Sequence, residues 1–211
     1  MPITPKGSEG SVMFGLSNVY IASVTESRDA DTGEITTTYG DPVAWPGAVH
    51  MTLNTKATSA DSYADNGVWY TTNTNPGYDG TYESMHVPEW AATDLLGRVA
   101  DDNGAILECA EDRPKYFALM FETQTDTYPT RYVYYKCILS NPSGDWETTT
   151  DSTTPKTATA NIRVMPRADV TEISGKNMHA IGAVVSATTD ATAYDDFYEA
   201  VYEPTVTPPT P

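Results

Sequence analysis

Basic residues are scarce in this chain: 12 Lys and Arg stand against 29 Asp and Glu in 211 residues, for a formal net charge of −17 and a pI near 4.3. Affinity for a phosphate backbone comes from clustered Lys and Arg that displace counterions, so a basic nucleic-acid grip is excluded. Cysteine is nearly absent. Cys109 and Cys137 are the only two, each inside an apolar, strand-like run. They can be read as a bridge or as two buried thiols, and the second reading goes with folding in a reducing cytosol. No apolar run approaches the roughly 18 residues of a membrane span. The opening Met1 to Gly10 lacks the basic stretch, apolar run and small-residue cleavage site of a secretory leader, so none is expected. No glycosylation acceptor is expected either, since Asn141-Pro142-Ser143 carries the forbidden proline.

Catalytic signatures are also missing. No two glycines are spaced as Gly-x-Gly, which removes the dinucleotide fingerprint, and none as Gly-x-x-x-Gly, which removes the nucleophile elbow. The histidines, His50, His86 and His179, stand far apart, without a metalloprotease pair or a His/Cys zinc pattern. Asp29-x-Asp31 opens like a calcium loop, but the glycine falls one position early and the twelfth position is Gly40 instead of Glu, so a hairpin turn is the better reading. Asp195 and Asp196 are neighbours and would point apart on a helix, where acids in a first turn complement the helix dipole. The expectation is a protein with no catalysis, no metal and no cofactor.

What is present favours strands. Threonine and tyrosine are abundant, and branched or aromatic side chains suit a pleated surface. At 39% hydrophobic residues and this length, one large domain over residues 1–204 is the default expectation, with two small ones the alternative. Val19 to Val24 and Ile35 to Tyr39 flank turn chemistry at Asp29 to Glu34, which predicts a hairpin. Ala48 to Leu53 and Thr81 to Val87 read as strands, and Pro88 to Gly97 as a short helix with proline at its start and glycine at its end. Asp102-Asn103-Gly104 is a tight turn. Lys115 to Thr123 and Arg131 to Leu139 make the clearest hairpin in the chain. Ser140 to Pro155 reads as a polar loop, Thr157 to Met165 as a strand, and Asn177 to Ala187 as a strand pair.

Two segments stand apart. Residues 55–80 are polar and aperiodic yet carry Tyr63, Trp69, Tyr70 and Tyr78, which reads as a long loop with an interface to make, because interfaces favour such aromatics. Near the end, Tyr194, Phe197, Tyr198, Val201 and Tyr202 recur at helical spacing, predicting a helix over 190–203 with one aromatic stripe. That stripe is either the domain's own core face or a face that docks on a neighbour. Pro204 stops the helix, and the Pro/Thr stretch 205–211 is expected to be disordered, like an N-terminal arm over 1–14.

The order of these segments resembles the major tail proteins, the tail tube subunits of long, non-contractile-tailed bacteriophages. Gly15-Leu16-Ser17-Asn18-Val19-Tyr20 is similar to that family's opening strand, and Tyr39-Gly40-Asp41-Pro42 with Pro46-Gly47-Ala48 to its entry into the next. Tyr63-Ala64-Asp65-Asn66-Gly67 resembles its long-loop motif, Val87-Pro88-Glu89 through Leu95-Leu96-Gly97 its central helix, and Tyr116-Phe117-Ala118-Leu119 with Arg131-Tyr132-Val133-Tyr134 its central hairpin. Phe197-Tyr198-Glu199-Ala200-Val201-Tyr202-Glu203-Pro204 resembles its aromatic, acidic ending. The likeness runs from about residue 12 to residue 204. The Thr-rich stretch 140–155 and the Pro/Thr tail depart from the family's pattern.

The resemblance implies a mainly β fold: a tail-tube-type β-sandwich or barrel with one short central α-helix, a C-terminal helix and a long assembly loop. Six copies would form a ring, and stacked rings a hollow conduit for DNA ejection, in a virion tail assembled in the host cytoplasm. Partners would be further copies of itself, with tape-measure, tail-tip and tail-terminator proteins; DNA would pass without specific binding, and no membrane is involved. Assembly contacts are expected from Tyr63, Trp69, Tyr70 and Tyr78 in the loop and from Tyr194, Phe197, Tyr198 and Tyr202 in the stripe. An acidic lumen would repel phosphate, with the basic residues placed mainly between subunits. The alternative is a β-sandwich binding module that recognises glycan or protein at a cell or virion surface through Trp69, Tyr70, Tyr78 and Trp146, stacking on apolar faces.

Overall fold

Branched and aromatic residues hold most of the chain extended in a computed structural model that describes residues 13–125, 129–144, 148, 156–173, 176–186 and 191–205. β1 (Met13–Arg28) runs for 16 residues and turns back into β2 (Ile35–Tyr39). The turn is closed by Asp29, whose Oδ1 accepts from the backbone N–H of Asp31 at 2.8 Å and of Thr32 at 2.7 Å. Bonds from Thr32 and Asp31 hold that carboxyl below its ordinary range. The Asp29-x-Asp31 pattern is thus a turn cap. β3 (Val43–Ala44) pairs with β1 at Tyr20 and Ile21 and leads into β4 (Ala48–Thr55), after which β5 (Thr58–Ala64), β6 (Gly67–Thr74) and β7 (Tyr78–Ser84) follow.

Helix α1 (Glu89–Asp94) begins after Pro88 and carries Glu89 in its first turn. Gly97 has φ of 75°, and a Cβ there would run into the Arg113 carbonyl, so glycine is required by both backbone angle and space. β8 (Val99–Ala100) and β9 (Ile106–Leu107) form a small hairpin whose turn is closed by Asp101, with Gly104 at φ of 86°. β10 (Phe117–Thr125) and β11 (Thr130–Leu139) are the central hairpin. Then come β12 (Ala158–Met165), β13 (Thr171–Ile173), β14 (Lys176–Met178), β15 (Gly182–Val185) and α2 (Ala191–Asp195), which tightens into a 3₁₀ turn over Asp196–Tyr198.

Among the described residues, nine strands make one antiparallel sheet in the order β2-β1-β10-β11-β12-β7-β4, with β3 added to β1 and β15 to β11. The sheet forks at β11: Arg131 to Tyr134 pair with β15, and Lys136 to Leu139 pair with β12. It ends at β2 and β4 and is not closed into a barrel, so the barrel half of the expected sandwich or barrel is not formed by this chain.

Alternation along β10 and β11 feeds two cores, one on each face. Phe117, Leu119, Phe121, Cys137 and Leu139 join Val19, Ile21, Trp45, Tyr82, Leu95 and Leu96 in the first, which α1 covers. Ala118, Met120, Val133 and Tyr135 face the other way and meet Ala22, Val185, Phe197 and Val201. Trp45 anchors the first core, its indole N–H donating to the His86 carbonyl at 3.0 Å and its ring packed edge-on against Tyr82 and Trp90.

Several sequence expectations are corrected. Residues 55–80 are not an irregular loop: they hold the β5–β6 hairpin and the start of β7. Neither face of that hairpin is buried, so it carries no period-2 hydrophobic signal to read. The expected pair within 177–187 is two strands with different partners, β14 on β13 and β15 on β11. The C-terminal helix is shorter than 190–203 because aromatic and Asp residues are weak helix formers, and the last turn tightens to 3₁₀ so that Phe197 and Val201 both reach the core. Both cysteines are free, but only Cys137 is buried; β9 ends at Leu107, leaving Cys109 exposed in the turn that follows. The expected arm over 1–14 is strand at Met13 and Phe14. Residues 1–12, most of the 140–155 loop including Trp146, and residues 206–211 of the Pro/Thr tail lie outside the described residues.

Candidate assembly surface

The β5–β6 ribbon is where a short turn and a polar sequence leave apolar side chains with nothing of their own to cover. Asp65 and Asn66 form a two-residue loop with φ of 51° and 62°, the pair of positive angles that a tight hairpin needs and that Asp and Asn tolerate. Tyr63 lies opposite Val68 and Ser62 opposite Tyr70, so Trp69 is the extra residue of a bulge. Every residue from Thr58 to Pro76 is exposed; Tyr63 keeps 72% of its surface, Trp69 73% and Tyr70 64%. The ribbon holds its own register through Thr58 and Thr74 hydroxyls 2.8 Å apart and a Thr71 hydroxyl donating to Asp61 at 2.7 Å. Its base is pinned by Lys56, which pairs with Asp79 at 2.7 Å and donates its backbone N–H to the Gly77 carbonyl. An isolated two-stranded hairpin is at best marginally stable in water, and among the described residues nothing else in the chain covers the tip aromatics.

Tyr78 does not belong to the ribbon. It starts β7, is half-buried, and packs edge-on against Tyr134 at 5.5 Å in the first core. Desolvation pushes the Tyr134 hydroxyl up to about 12.

The aromatic stripe lies inward. Phe197 and Val201 are buried in the second core, and Tyr194, Tyr198 and Tyr202 are half-buried against it, with Tyr198 packed on Tyr20 at 4.6 Å. Two arginines clasp this strap. Arg131 donates to the Tyr194 carbonyl, lies 4.0 Å from the centre of its ring, and pairs with the buried Glu122 at 3.1 Å. At the far end the buried Arg167 reaches Glu203 at 2.5 Å and grips Asp169 with two nitrogens at 2.9 and 2.5 Å, while Thr37 adds a hydroxyl bond to Asp169 at 2.7 Å. Burial alone would raise the Asp169 carboxyl, but the bonds from Arg167 and Thr37 outweigh it and hold the group below its ordinary range. Sequence reading found the stripe's spacing but missed these arginines, whose partners lie 36 and 63 positions away.

At least six of the twelve basic residues, Lys56, Arg98, Arg131, Lys136, Arg163 and Arg167, make ion pairs within the chain. Among the described residues no three His, Cys, Asp or Glu side chains converge to hold a metal, and no helix is long and apolar enough to cross a membrane.

One apolar groove faces outward between the first residues of β1 and β4. It encloses about 590 Å³ and is lined by Met13, Phe14, Leu16, Val49, Met51 and Leu53, with Phe121, Tyr132 and Tyr134 as its floor. Among the described residues both walls are strands with one unpaired edge: Met13 to Ser17 pair there with β10 alone, and β4 with β7 alone. No protein-family model matches the chain, and no curated protein matches it.

Proposed function

We propose that this chain is a structural subunit of a phage tail tube, forming stacked, six-membered rings around a conduit for DNA and carrying out no chemistry. The observation that supports this most is the β5–β6 ribbon, a rigidly based hairpin whose exposed Tyr63, Trp69 and Tyr70 have value to a protein only when another surface meets them. The open ends of the sheet at β2 and β4 add to it, because strand edges left unpaired in one copy can pair with those of the next, and a barrel that one chain does not close can be closed by several. The strong negative charge fits a passage for DNA that must not stick; six copies bring on the order of 100 negative charges per layer, a repulsion that buried apolar contacts have to offset. Tape-measure, tail-tip and tail-terminator proteins would be its partners in the virion.

Negative-stain microscopy of concentrated protein tests the reading, alone and with tail-tip and tape-measure partners. Rings or hollow tubes are expected, and a strictly monomeric particle in every mixture overturns it. The same exposed Trp69 and Tyr70 favour one rival, a module that stacks them on glycan or on another protein. Trp69→Ala with Tyr70→Ala separates the two: loss of assembly goes with the tube, and loss of glycan binding by an unchanged monomer goes with the module.

A further inference from the structure

We infer that the groove between β1 and β4 is the receptor for the β5–β6 ribbon of a second copy of this chain. The inference rests on the reading of the ribbon as an assembly element and adds where it lands. Size is the first argument. The three tip aromatics bury about 150–250 Å² each when fully covered, so at their present exposure the tip and the surface it covers amount to on the order of 1,000 Å², the lower bound for a specific interface.

Charge is the second. In a chain with 29 acidic residues, the groove's lining contains no carboxylate among the described residues and includes His50, whereas the ribbon carries Asp61 and Asp65 and no cation. An acidic ribbon therefore meets repulsion over most of this surface and little of it here. The third argument is backbone. Among the described residues both walls of the groove offer unpaired strand edges, so a ribbon lying between them gains main-chain hydrogen bonds along with apolar cover, the logic of strand addition to a sheet edge.

Ribbon and groove are different surfaces of one chain, so the contact is head to tail and propagates from copy to copy unless a ring closes it. β4 carries both: Val49, His50, Met51 and Leu53 line the groove, and the strand runs on through Thr55 into the ribbon.

The test uses two full-length variants. One carries Trp69→Asp with Tyr70→Asp and keeps its groove; the other carries Phe14→Asp with Val49→Asp and keeps its ribbon. All four positions are exposed, and thermal melts check that each variant folds. By sedimentation, each variant alone should self-associate at least tenfold more weakly than the unmodified chain. Their equimolar mixture should form 1:1 pairs, since one intact ribbon and one intact groove remain. A groove variant that assembles like the unmodified chain, or a mixture that does not pair, overturns the inference.

A second measurement reads the contact itself. The unlabelled groove variant, titrated as the full chain into the ribbon variant with labelled methionine methyls, should shift Met13 and Met51 and leave Met178 in place; no shift at Met13 or Met51 overturns the inference. The two readings fail separately. Pairs in the mixture without rings or tubes by microscopy keep the docking and remove the tube, whereas tubes built from the groove variant keep the tube and remove the docking.

Discussion

The chain contains two prominent antiparallel hairpins, β10–β11 and β5–β6, built from the same backbone bonding and opposite in everything else. In β10–β11 both faces are covered, so Phe117, Met120, Val133 and Tyr135 lose nearly all contact with water. In β5–β6 nothing is covered, and the pairing is held by a two-residue turn, threonine hydroxyls and a pinned base. Backbone hydrogen bonds are equally available to both. Their different standing comes from apolar burial, which stabilises by roughly 25 cal/mol per Å² and which the ribbon lacks.

The largest way to break this comparison is in the centre. Phe117→Ala removes a fully buried ring and should cost about 3–5 kcal/mol, read as a fall in the urea midpoint. Next is the joint that carries the ribbon. Gly80 lies so close to the Thr52 carbonyl that an added Cβ would collide with it, so Gly80→Ala should prise β7 from β4 and cost about 1–3 kcal/mol, again by urea unfolding.

The clasp behind the second core gives a smaller, pH-dependent effect. Folding lowers the Asp169 carboxyl, so its contribution is complete above the ordinary carboxylate range near pH 4 and is lost as pH falls through its folded value. Asp169→Asn should be less stable than the unmodified chain at neutral pH, and urea midpoints should show the difference shrinking in acid. The thiols sharpen the contrast without changing stability. Native protein should react with a thiol reagent at Cys109 alone, because Cys137 is buried and desolvation pushes its thiol far up, and both should react in denaturant. Smallest of all, Trp69→Ala should leave the monomer's stability within about 0.5 kcal/mol while abolishing self-association, which no central substitution can do without unfolding the chain.

The same contrast decides what could be read in advance. The central hairpin announced itself because burial on both faces calls for two apolar-rich runs around a polar turn, and α1 because proline and glycine mark its ends. The ribbon left only Asp65-Asn66-Gly67 as a local signal, a strong turn without an alternating flank. Its aromatics pointed correctly to an exposed element, although Tyr78 belonged to the core. The arginines that clasp the C-terminal strap were invisible, since ion pairs across dozens of residues have no local pattern.

Sequence alone thus determined the strand-rich class, the turns at Asp29 and Asp102, the short helix, the spacing of the terminal stripe and the excess of negative charge, because propensity, turn chemistry and charge are local or additive. Tertiary structure decided the rest. It turned the stripe inward onto a second core, forked the sheet at β11, left β2 and β4 as open ends, and gathered Met13, Phe14, Val49 and Met51 from separate strands into one groove. Those outcomes depend on which distant segments share a face, and that is set by the packing of the whole sheet.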